Sequence, residues 1–121
     1  MMKVKLMRLI GVCSLISTVG NAIDCSNVVT QMDMNDCAAL EFKKADAALN
    51  AAYNTLRKMR NEDEKKQLKE AQMAWIKYRD LDCKQVGLRY QGGSLYPLVI
   101  NECQMEKTKI RTRELNEQKK I

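Results

Sequence analysis

The chain has 121 residues, with 21 basic and 15 acidic side chains, a formal charge of +6, one proline and no histidine. That length allows one small domain whose core alone gives modest stability, and the missing histidine removes the commonest general base and a common zinc ligand. The positive charge does not by itself point to nucleic acid, because part of it lies at the amino terminus.

Lys3, Lys5 and Arg8 precede an apolar stretch from Leu9 to Val19, followed by Gly20-Asn21-Ala22. Basic, apolar and small-residue regions in that order predict a secretory signal over residues 1–22, with an apolar run too short to anchor the chain in a bilayer. Cys13 lies inside this run behind Ile10-Gly11-Val12, where lipidation would need a small residue just before it, so Cys13 is expected to leave with the signal. The remaining domain, 23–121, is expected in the periplasm or outside the cell. Without Lys3, Lys5 and Arg8 the 21 basic residues fall to 18 against 15 acidic ones, a balance of +3. The balance is −3 from Ile23 to Glu64 and +6 from Lys65 to Ile121. An acidic end suits a cationic partner and a basic end suits anionic envelope material, but solvated helix faces are the preferred reading of such charges.

Four cysteines remain, Cys25, Cys37, Cys83 and Cys103, an even number in an exported chain, which favours disulfides. Three pairings are open. Local pairing, Cys25 with Cys37 and Cys83 with Cys103, is preferred because each bond closes a short loop beside an expected helix start. Zinc is the competing reading, and it is disfavoured by the lack of any CxxC pair or histidine; no metal or cofactor is expected.

A first helix is expected from Asn35 or Asp36 to about Arg60, capped by Asp33 or Asn35, with Phe42, Ala45, Leu49, Ala52, Leu56 and Met59 at spacings of three and four. Asn61-Glu62-Asp63-Glu64 breaks the pattern with acidic residues suited to a first helical turn. A second helix is expected from about Asp63 to Leu88, carrying Leu68, Ala71, Trp75 and Tyr78 on one stripe. Gly92 and Gly93 then permit a chain reversal, with Ser94 as a cap and Pro97 in the first turn of a third helix. That helix carries Leu98, Val99, Cys103, Ile110 and Leu115 and gives way to a polar tail from Asn116 to Lys120. The expected fold is all-α, a small antiparallel three-helix bundle with a short N-terminal disulfide-tied segment.

Catalysis finds little support. Without histidine, and with the cysteines oxidised, the usual nucleophile and base pairs are missing. Asp80 with Asp82 and Asp33 with Asp36 are carboxylate pairs, but two-apart residues do not share a helix face and three-apart residues at a helix start act as caps. Trp75, Tyr78, Arg79 and Asp82 do share a stripe, on which a guanidinium can lie over the indole. Core packing is the preferred reading: Trp75 and Tyr78 plug the bundle while Arg79 pairs with a carboxylate on the third helix such as Glu114. Gly92-Gly93-Ser94 beside a helix start could hold an anion, but it lacks a phosphate-loop lysine and a preceding strand and reads better as a loop.

Cys25, Met34-Asn35-Asp36-Cys37-Ala38, Leu49-Asn50 with Tyr53, the run A-Q-M-A-W-I-K-Y-R-D leading to Cys83, Gly92-Gly93-Ser94, and Cys103 followed by Thr108, Arg111, Glu114 and Leu115 occur together. This set resembles the LprI-type lysozyme inhibitor domain, formerly a domain of unknown function in secreted bacterial proteins, over nearly all of the domain. Its family motif falls here on Trp75, Tyr78, Arg79, Asp80, Gly92, Gly93, Ser94, Thr108, Arg111, Glu114 and Leu115, and these positions are expected to be structural. Lys107 replaces the usual apolar residue before the threonine, and Ile110 is expected to take over its packing. The resemblance implies export, a helical disulfide-bonded domain without catalytic residues, and lysozyme as a partner. The alternative partner is anionic envelope material or another envelope protein, bound through the basic third helix.

Overall fold

The computed structural model describes residues 24–121, so the expected signal over 1–22 and Cys13 within it lie outside the described residues. Three α-helices occupy this stretch, α1 (Gln31–Lys58), α2 (Glu62–Gly87) and α3 (Tyr96–Gln118), with a 3-10 turn at Leu88–Tyr90. No strand occurs among the described residues, and none of these helices is long and apolar enough to cross a membrane. The all-α, antiparallel three-helix reading is what the structure shows.

α1 begins earlier than its apolar period suggests. Thr30, extended at φ −90° and ψ 153°, accepts a hydrogen bond from the Asp33 amide at 3.1 Å, so the cap is Thr30 and not Asp33 or Asn35. Ala38, Ala45 and Ala52 are buried at seven-residue intervals on the same stripe as Leu49 and Leu56, and these small side chains let α3 approach closely. Met59, expected on this stripe, is the exposed C-cap residue. α2 opens on a capping box: the Glu64 amide donates to Asn61 Oδ1 at 2.9 Å, and the Asn61 amide donates to Glu64 Oε1 at 3.2 Å.

At the far end of α2 the approach to α3 is so close that a Cβ on Gly87 would run into Ile100 and the Tyr96 ring. Gly92, at φ 84°, then takes the left-handed conformation that the reversal needs. Pro97 stands in the first turn of α3 as expected, but Ser94 does not cap it; Leu95 is the N-cap residue and makes no side-chain cap. The Ser94 carbonyl instead accepts from Asn35 Nδ2 at 2.9 Å, while Arg60 Nη2 donates to the Gln118 carbonyl at 2.9 Å. These two bonds tie the starts and the ends of α1 and α3 together, so the two helices run parallel, with α2 antiparallel to both. α3 continues through Gln118, where a polar tail was expected.

Leu49, Ala52, Leu56, Leu68 and Leu115 form the core, with Tyr53 and Trp75 packed against it. Cys25 is bonded to Cys37 and Cys83 to Cys103, with Cα separations of 5.6 and 5.5 Å. The first bond fixes the N-terminal segment to α1, and the second joins α2 to α3 across the reversal. These two bonds take up all four cysteines of the described residues.

Candidate functional site

Of the candidate residues, Trp75, Arg79, Asp80 and Thr108 meet where α2 crosses its neighbours. Arg79, only 6% exposed, lies between two aromatic rings, its guanidinium carbon 5.1 Å from the Phe42 centroid and 5.3 Å from the Trp75 centroid. Its Nε donates to Asp80 Oδ1 at 2.9 Å, and its Nη1 donates to Asp46 Oδ1 and to Thr108 Oγ1, both at 3.3 Å. Thr108 is fully buried and its Oγ1 donates to the Gln104 carbonyl at 2.6 Å, while Gln104 Nε2 donates to Asp80 Oδ1 at 2.9 Å. One planar cation thus links all three helices, as the flat five-donor guanidinium allows and a lysine would not.

The expected stacking of Arg79 on Trp75 is present, but its carboxylate partners are Asp46 on α1 and Asp80 on α2, not Glu114. Glu114 pairs instead with Arg111 of its own helix at 3.0 Å, and Arg111 Nε reaches the buried Gln72 of α2 at 3.0 Å. Phe42 and Asp46 belong to this cluster; the sequence places Phe42 only on the apolar stripe of α1 and Asp46 nowhere near Arg79, because both contacts depend on how α1 faces α2.

Tyr78 does not plug the bundle. It is 57% exposed, and Lys107 Nζ lies 5.0 Å above its ring while pairing with Asp82 Oδ2 at 2.8 Å. That bond holds the Asp82 carboxyl below its ordinary value of 3.8 and raises Lys107 above 10.5. Ile110, expected to replace Lys107 in packing, is 46% exposed. Lys107 therefore joins α3 to α2 through charge, and its stem and ammonium cover the tyrosine face.

Gly93 and Ser94 of the reversal form a shallow hollow with Arg89 and Leu95. Two grooves run along the side of α1 and α3 that faces away from α2. Near the Cys25–Cys37 bond, a depression of about 320 Å³ has Met34, Ala38, Leu98 and Met105 as its apolar walls and carries Glu41 and Glu102. Further along, Lys44, Lys109 and Arg113 line a depression of about 400 Å³, and Glu41 borders both hollows. This face thus changes sign from acidic at the disulfide end to basic toward the helix ends. No group of three or more His, Cys, Asp or Glu residues that could hold a metal ion occurs among the described residues.

Residues 24–115 match the family described as Lysozyme inhibitor LprI. The chain is also similar to an uncharacterized protein of Rhizobium meliloti (strain 1021), 37% identical over 107 residues that cover 78% of this chain and 77% of the relative. No solved structure matches. With the match running over nearly every described residue, the chain belongs to the LprI lysozyme inhibitor family.

Proposed function

We propose that the protein is an exported, non-catalytic binding protein of the bacterial envelope that blocks a lysozyme by covering its cleft. The observation that carries this reading is the family match over residues 24–115. Two disulfides support it, since they suit an oxidising compartment and hold a contact surface in shape before binding. On this reading the residues around Arg79 are scaffold, because their polar atoms are directed at one another and not at solvent. The chain has no histidine, and its described cysteines are all oxidised, so occlusion needs no chemistry that these residues lack.

Lysozymes are commonly cationic, and an inhibitor then needs an acidic face despite a mildly basic total charge. The sorted charge along α1 and α3 supplies one at the disulfide end. A lysis assay tests the proposal: oxidised protein is titrated into a lysozyme acting on bacterial cell walls, and the lysis rate should fall toward zero as the inhibitor approaches excess. Unchanged lysis at a large molar excess contradicts it.

The groove lined by Lys44, Lys109 and Arg113 favours a second reading, in which the protein holds anionic envelope glycan or lipid. That reading predicts salt-sensitive retention on cell-wall material and no retention on lysozyme.

A further inference from the structure

The acidic groove leaves a negative charge uncommitted beside apolar walls. Among the described residues Glu102 makes no ion pair and no side-chain hydrogen bond, and Glu106 stands one turn away from it, exposed and equally unpaired. Glu41 pairs only with Lys44 of its own helix at 3.3 Å, an exposed contact that contributes little and exchanges readily. No basic residue lines the groove. Met34 and Met105 make its walls adaptable, since a thioether chain follows an irregular surface at little cost. The Cys25–Cys37 bond fixes one wall, so little order has to be gained on binding.

We infer that this groove is the docking point for the cationic partner, taking one of its arginine or lysine side chains with the aliphatic stem against Met34, Leu98 and Met105 and the charged head between Glu41 and Glu102. The inference rests on the lysozyme-binding reading and names the surface that reading leaves unspecified. Long basic side chains carry an apolar stem and a polar head, and a groove of about 320 Å³ with this division of surface matches both parts. Charge-assisted bonds to a carboxylate are the stronger kind, and a partly enclosed setting screens them less than open solvent does. The basic stretch that follows on the same face repels a second cationic contact, which limits how the partner can lie.

The test measures binding of a cationic lysozyme to three oxidised proteins: wild type, Glu41→Gln/Glu102→Gln, and Asp63→Asn/Glu70→Gln. The last makes the same change in net charge at exposed positions of α2. The groove variant should bind about tenfold more weakly or worse and lose most of its salt dependence, while the α2 variant should stay within about twofold of wild type. Carbodiimide labelling of the wild-type complex should show Glu41 and Glu102 protected and Asp63 still reactive. Wild-type binding that survives the groove substitutions, or equal losses in both variants, overturns the docking point and leaves the lysozyme-binding reading standing. Absence of wild-type binding overturns both.

Discussion

Around Arg79 the charges are turned inward: a guanidinium stacked between Phe42 and Trp75 meets Asp46, Asp80 and Thr108 across three helices. On the outer side of α1 and α3 the charges are turned outward, with Glu102 and Glu106 facing solvent beside an apolar groove. Both regions hold acidic side chains near apolar surface, yet only the second has charge left for a partner. The contrast separates what makes the chain recognisable from what is available for contact. The motif marks the first region, and on the reading proposed here function belongs to the second.

The largest expected effect comes from breaking the inward region. Arg79→Ala removes the link among the helices and leaves Asp46, Asp80 and Thr108 without it, which should cost about 3 kcal/mol in urea unfolding; the half-exposed carboxylates rehydrate and keep the loss from being larger. Arg79→Lys keeps the charge and loses the flat stacking and the fork of donors, so roughly half of that loss should remain. A loss near zero in both variants would show that the cluster does not hold the bundle.

The disulfides are expected next. They close loops with sequence separations of 12 and 20, and chain entropy assigns about 3 kcal/mol to each. Cys83 is fully buried, whereas Cys25 is only partly so, and a serine hydroxyl in place of Cys83 also has to be buried. The Cys83→Ser/Cys103→Ser protein should therefore melt below the Cys25→Ser/Cys37→Ser protein. The reverse order would place the main constraint at the groove end. Gly87→Ala should cost about 1–3 kcal/mol, because the new methyl group meets Ile100 and Tyr96 where α2 and α3 are closest.

The smallest effect concerns pH. The Lys107 bond lowers the Asp82 pKa, so its stabilisation is present above the ordinary value of 3.8 and is lost as pH falls through the lowered one. Lys107, raised above 10.5, contributes below that value and loses its contribution as pH climbs past the raised one. Asp82→Asn should flatten both limbs of a melting-temperature profile by a small amount. An unchanged profile would remove this pair from the forces joining α3 to α2.

Much of the fold was legible because α1 carries an unbroken three-and-four apolar spacing, and because each short cysteine loop abuts a helix start. The boundaries were less so. Thr30 with Asp33, and Asn61 with Glu64, are three-apart cap pairs written in the sequence, but the flanking residues lack apolar periodicity, so the helices were expected to begin later. Tyr78 and Ile110 sit at helical spacings that suit a core, yet the crossing of α2 and α3 turns both outward. Glu114 was a plausible partner for Arg79 by charge alone, and its own Arg111, three residues away, takes it first. The groove was not legible at all. It exists only because α1 and α3 run parallel and bring Glu41 beside Glu102, residues 61 apart in the chain.

The most direct test of this division is lysozyme inhibition compared among wild type, Tyr78→Ala and Glu41→Gln/Glu102→Gln, each oxidised and verified as helical by circular dichroism. Tyr78 is the exposed aromatic of the motif, so it reports on whether the motif surface contacts the partner. The account predicts that wild type and Tyr78→Ala inhibit alike while the groove variant loses inhibition. Loss of inhibition in Tyr78→Ala, with the groove variant fully active, would contradict it.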